Sequence, residues 1–140
     1  MLKPPNNILL VEDDEIDVMN IQRAFKKNNI TSKLQIVGNG VEALSLLRGE
    51  NTSNILLPDL ILLDLNMPKM SGLEFLYEIR KDKNLRSLMV VILTTSNNES
   101  DIKMAYNYNV AGYIVKPIDF NALVEVVKIL DNYLSLCLLQ

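Results

Sequence analysis

The feature that most limits the fold of this chain is an alternation. Short runs rich in Ile, Val and Leu at residues 8–11, 59–63, 89–94 and 113–115, with a weaker one at 34–37, show no polar alternation. That is how strands covered on both faces read. Between them lie segments with helical spacing. The first carries Val18, Ile21 and Phe25, with Asp14 or Glu15 to cap its start. The second follows Asn39-Gly40 with Ala43, Leu44 and Leu47, and the third follows Ser71-Gly72 with Leu73, Leu76 and Ile79. Residues 96–98 precede a fourth with Ile102, Ala105 and Tyr106. The last starts near Asp119 and carries Leu123, Val126, Val127, Leu130 and Leu134. Five strands alternating with five helices predict an α/β fold: a doubly wound, five-stranded parallel sheet with helices on both faces. A chain of 140 residues makes one such domain, since chains usually divide only beyond roughly 250 residues.

In sheets of this kind ligands bind outside the carboxyl ends of the strands, where the strand order reverses. The residues at those ends are Glu12, Asp13 and Asp14 after the first strand, Asp64 after the third, Thr94 at the fourth and Lys116 after the fifth. Five acids fall within the six positions from Glu12 to Asp17. Acids in the first turn of a helix account for Asp14, Glu15 and Asp17. They do not account for Glu12 and Asp13, which directly follow a buried strand. A hard divalent cation relieves the repulsion; Mg2+ takes about six oxygens, from one or two carboxylates, waters and phosphate groups. Asp64 ends an apolar strand and reads either as a cap for the loop 65–68 or, beside a metal, as an oxygen nucleophile of the kind that forms aspartyl phosphate. Thr94 and Lys116 are unremarkable singly. Together they supply a hydroxyl and an ammonium to phosphoryl oxygens.

Composition removes competing chemistries. With no His, the chain has no His-based metal site, no Ser-His or Cys-His catalysis, and no means of donating phosphohistidine. One Cys, Cys137, precludes an internal disulfide or a Cys-rich zinc site. Fourteen basic against 17 acidic residues argue against nucleic acid as the default ligand. No apolar run is long enough to span a bilayer or to act as a signal peptide, so the expectation is a cytoplasmic protein without membrane contact.

The residues Ile8-Leu9-Leu10-Val11-Glu12-Asp13-Asp14, Asp64-Leu65-Asn66-Met67-Pro68 with Gly72, Thr94-Thr95-Ser96 and Tyr113-Ile114-Val115-Lys116-Pro117 together resemble the receiver domain of two-component response regulators. The resemblance runs over about residues 7–135. It implies a flavodoxin-like (βα)5 fold, with residues 1–6 as an N-terminal extension and 7–140 as a receiver with no output domain. It implies that Asp64 takes a phosphoryl group from a sensor histidine kinase, the receiver itself catalysing the transfer. Asp13 and Asp64 would contact Mg2+ directly, Glu12 through water, and Asn66 by its backbone carbonyl. Thr94 matches the switch hydroxyl, Lys116 the phosphoryl-binding lysine and Tyr113 the aromatic switch. The half-buried ring of a strand Tyr is the plainer account of Tyr113. By the same resemblance the Lys116-Pro117 bond is expected to be cis. Gly72 fits a turn or helix start that needs no side chain, and Gly112, before a buried strand, is expected where backbones approach closely.

The segment 49–58 is longer than receivers usually carry. It resembles the single-domain regulators associated with bacterial phytochromes, which also tend to carry an acid at the place of Asp17. Thr95 stands where the family often has Ala, and Ser96 lies near the phosphoryl entrance; both bear on dephosphorylation. With no output domain expected, the output is a changed binding surface, a relay step or a phosphate sink. The last helix carries a second stripe, Ile129, Tyr133 and Leu136, followed by Leu138 and Leu139. It reads as a homodimer surface or as a locally packed tail. Other classes fit less well. A haloacid-dehalogenase-type phosphatase needs a second carboxylate where Asn66 stands, and Glu12, Asp13 and Asp14 would repel the phosphate of a flavodoxin-type FMN binder. A receiver used purely for phosphorylation-independent interaction would not need every phosphorylation position, and all are present.

Overall fold

Burial on both faces explains why three of the strands are so apolar. The computed structural model describes residues 7–50 and 57–137. Its strands are β1 (Asn7–Val11), β2 (Lys33–Val37), β3 (Leu60–Leu63), β4 (Val90–Thr94) and β5 (Gly112–Val115). They alternate with helices α1 (Glu15–Lys27), α2 (Gly40–Arg48), α3 (Gly72–Lys81), α4 (Glu99–Asn107) and α5 (Phe120–Cys137). All pairings are parallel, in the order β2-β1-β3-β4-β5. The central strands β3 and β4 are buried throughout, whereas β2 and β5 lie at the edges and are only partly covered. The sequence Lys33-Leu34-Gln35-Ile36-Val37 reads weakly because an edge strand keeps polar residues toward solvent.

Because successive strand residues face opposite ways, β1 and β3 feed two cores. Leu9, Val11, Ile61 and Leu63 pack with Ala43, Leu44 and Leu47 of α2 and Phe75, Leu76 and Ile79 of α3. On the other face Ile8, Leu10, Leu60 and Leu62 meet Ile21, Ala24 and Phe25 of α1 and Leu123, Val127, Leu130 and Leu134 of α5. Each of the Leu, Ile, Val and Phe side chains among them contributes roughly 1.5–3 kcal/mol by leaving water. Of the stripe expected on α4, Ala105 is buried while Tyr106 is half exposed. This short helix packs beside the edge strand β5 and has only a narrow face to bury.

Side chains close the helix starts at the carboxyl end of the sheet. Asp14 accepts from the amides of Ile16 and Asp17, Asn39 from Glu42, Asn98 from Ser100, and Ser71 with Glu74 forms a reciprocal capping box. Each cap is worth about 1 kcal/mol. At the opposite end Arg80 donates to the carbonyls of Tyr108 (2.6 Å), Arg86 and Leu88 (2.8 Å each) and Asn109 (3.2 Å).

Two expectations are corrected. No peptide bond among the described residues is cis, so Lys116-Pro117 is trans; that is the form an X-Pro bond prefers by about 0.5–1 kcal/mol. Gly112 has no close neighbour either, since an added Cβ would meet only Val91 Cγ1 at 4.0 Å, and the edge strand leaves space there. The centre of the long segment, residues 51–56, lies outside the described residues, as do Leu138, Leu139 and the extension 1–6.

Candidate functional site

The chain leaves β1 toward β2 on one side of the sheet and returns to β3 on the other, so the order reverses between β1 and β3. The acids sit at that reversal, held by ladder bonds that run one residue past the strands. The amide of Glu12 donates to the Val37 carbonyl (3.0 Å), that of Asp64 to Val11 (3.1 Å) and that of Lys116 to Thr94 (2.7 Å). The backbone of the sheet thus places the side chains. On the far side of Asp64 the start of α3 presses close. The Gly72 amide donates to the Leu65 carbonyl at 2.9 Å. A Cβ on Gly72 would lie 2.4 Å from the Asp64 carbonyl oxygen and 2.7 Å from Leu65 Cα.

Glu12, Asp13 and Asp64 each bring a carboxylate oxygen within 4.8 Å of the others, with Asp13 exposed and Glu12 and Asp64 buried. Lys116 reaches in from the end of β5, its side chain 8% exposed. Its ammonium donates to Glu12 Oε1 and, at 2.9 Å, to Asp17 Oδ2, and stands 3.9 Å from Asp64 Oδ2. The other oxygen, Asp64 Oδ1, is buried with no hydrogen-bond partner among the described residues. Burial pushes the Glu12 carboxyl up to about 7 against the Lys116 hydrogen bond, and the charge of Asp64 adds to the rise. Burial works to lower the Lys116 pKa, but its bonds to Glu12 and Asp17 and the charge of Asp64 outweigh it, so the net shift is upward.

Thr94 is fully buried, and its Oγ accepts from the Ser96 amide at 3.4 Å. Tyr113 packs its half-buried ring against the core on the α3 side and donates its hydroxyl to the Ser96 carbonyl at 2.9 Å. The Ser96 hydroxyl donates to Asp101 at 2.7 Å. Asn66 and Thr95 are exposed, and Pro117 joins the lining of a groove between α1 and α5.

The structure therefore brings Glu12, Asp13, Asp64 and Lys116 together, with Thr94 at the neighbouring strand end. Sequence reasoning left two residues underused: Asp17, explained as a first-turn acid, and Ser96, whose bonds join the ends of β4 and β5 to α4. Glu15 and Asp17 are equivalent as helix acids; only the fold shows which one faces Lys116.

The donors are all oxygen, two of them on buried carboxyls, and Asp64 has an unused buried lone pair. That is the chemistry of a hard divalent cation site, and the residues fit one.

The sequence profile of the response regulator receiver domain matches residues 8–128. The chain belongs to that family, the receivers of two-component signal transduction. It is 37% identical over 131 residues to the response regulator Rcp1 of Synechocystis, covering 93% of this chain and 89% of that protein. With the probable methanogenesis regulatory protein FilR2 of Methanothrix harundinacea it shares 38% over 129 residues, covering 92% of this chain and 83% of that one. Among solved structures it is similar to the phosphorylated cyanobacterial phytochrome response regulator RcpA, at 40% identity and TM-score 0.85, covering 91% and 92% of the two chains. The Mn2+-bound form of Rcp1 matches at 38% identity and TM-score 0.83, covering 92% and 94%. No helix of the described residues is long and apolar enough to cross a membrane.

Proposed function

We propose that Asp64 is the phosphoacceptor of this receiver and that Mg2+ is its cofactor. The observation that carries this is the state of Asp64: buried, held by its backbone, with one carboxylate oxygen unpartnered and the Lys116 ammonium 3.9 Å from the other. Asp13, Asp64 and the Asn66 carbonyl would hold Mg2+, with Glu12 acting through water. When bound, Mg2+ supplies positive charge between the carboxylate and the phosphoryl oxygens, lowering the repulsion between two anions. The Mn2+-bound form of Rcp1 supports a divalent ion here.

An Asp64 oxygen attacks the phosphorus of a phosphohistidine on a sensor kinase. The P–O bond forms as the P–N bond breaks, and the imidazole leaves and takes up a proton. Lys116 and the Thr94 hydroxyl each donate to a phosphoryl oxygen, where charge must be stabilised. Drawing Thr94 toward the phosphoryl group alters its contact with Ser96, and through the Ser96 carbonyl it alters the seat of Tyr113. The signal is then a shift between two packings of the surface formed by α4, β5 and α5. The likeness to a cyanobacterial phytochrome response regulator supports a phytochrome as the kinase. A homodimer through the exposed stripe of α5 is part of the same reading.

The test is incubation with Mg2+ and a small-molecule phosphodonor, followed by intact mass. The wild-type protein should gain one phosphoryl group and Asp64→Asn none. Equal uptake by both, or none by the wild type, would overturn the assignment.

A further inference from the structure

Lys116 has three N–H donors, and two of them are committed. One goes to Glu12 and one to Asp17, while Asp64 Oδ2 at 3.9 Å lies beyond hydrogen-bond range. The ammonium is thus held off the carboxylate beside which a phosphoryl group would form. Its two partners differ in how firmly they hold it. The Glu12 side chain is 1% exposed and has no access to water as a replacement. That of Asp17 is 34% exposed, so water can replace Lys116 there at small cost. Asp17 does not drift, because its amide is bonded to the capping carboxylate of Asp14 at 3.2 Å in the first turn of α1.

We propose that Asp17 is a positioning residue that competes with Asp64 for the Lys116 ammonium and so sets how tightly the site holds a phosphoryl group. This rests on the reading of Asp64 as phosphoacceptor. A phosphoryl group brings about −1.5 to −2 charge and three acceptor oxygens, enough to draw Lys116 from a half-solvated carboxylate. Part of that attraction is spent on breaking the Asp17 bond. Without Asp17 the ammonium is available from the start, and an anion near the incoming phosphoryl group is gone as well.

The test uses beryllofluoride, a phosphoryl analogue, titrated into Mg2+-saturated protein at near-neutral pH, with bound ligand read by fluorine NMR. Asp17→Asn should bind about two- to fivefold more tightly than wild type, as expected for an ion pair of this exposure. Glu15→Gln removes the same charge from an exposed position on the same helix that is not a partner of Lys116, and should bind as wild type does. A purely structural role for Asp17 would weaken binding, so the direction of change separates the two. Unchanged or weaker binding by Asp17→Asn would overturn the proposal, as would equal tightening by Glu15→Gln, which would reveal only long-range charge. Failure of the wild-type protein to bind would instead overturn the phosphoacceptor reading and this proposal with it.

Discussion

Glu12 puts a carboxyl where there is almost no water, and its proton is the consequence. In the unfolded chain it titrates near 4.5, and in the folded protein burial pushes it up to about 7. Between those values the folded state binds a proton the unfolded state has released. The resulting stability is fully present below the unfolded value and is lost as pH rises through about 7. Metal-free protein should therefore lose roughly 2–3 kcal/mol between about pH 5 and pH 8, measured by urea unfolding in chelator across that range. Mg2+ affinity should move the opposite way, rising over the same window, because the carboxylate must be ionised to take part. A flat stability profile would mean that Glu12 is ionised throughout. The identity of such residues was legible in the sequence because carboxyls directly after an apolar strand have no bland explanation. Asp17 was marked there only by a resemblance, and its contact with Lys116 was not legible, since an acid in the first turn of a helix has a bland explanation.

At the level of elements, the site depends on how closely α3 can approach the end of β3. The two nearest atoms that a Gly72 side chain would strike, the Asp64 carbonyl oxygen and Leu65 Cα, are backbone, so neither can rotate away as the third, Leu65 Cδ2, could. Gly72→Ala should lower stability by about 1–3 kcal/mol, as overpacking usually does, and weaken beryllofluoride binding because the Asp64 backbone has to shift. Gly112→Ala is the matched comparison: it meets nothing nearer than 4.0 Å and should leave the urea midpoint without that loss. Elements buried on both faces were the easiest to read, since every residue of β3 and β4 except the strand-end Thr94 is apolar. The reading weakened with exposure, at β2, where polar residues interrupt the run, and at α4, where helical spacing suggested a wider core face than Ala105 provides. Arg80 was invisible for another reason. Near the end of a helix a basic residue is ordinary, and its four carbonyl partners come together only through the fold.

For the whole molecule, the acidic balance of the composition has a place. With five of the 17 acids between Glu12 and Asp17, twelve remain against 14 basic residues, so the rest of the chain is mildly basic. The opposite end of the hydropathy scale is exposed on α5, where Ile129, Tyr133 and Leu136 stand 65%, 48% and 59% accessible while Leu130 and Leu134 face the core. Sedimentation at tens of micromolar should show a dimer that Ile129→Glu converts to monomer; a wild-type monomer, phosphorylated or not, would count against the pairing. Between these regions lies α4, and its two ends are fastened differently. Its C-terminal end is clamped by Arg80 through the carbonyls of Tyr108 and Asn109, whereas its N-terminal end is tied to the site through side-chain links from Ser96. A beam clamped at one end and tethered at the other is a lever. If phosphorylation draws on Thr94 as proposed, the pull would reach this tethered end through Ser96 and would be expressed most at Asn98 and Glu99, farthest from Arg80.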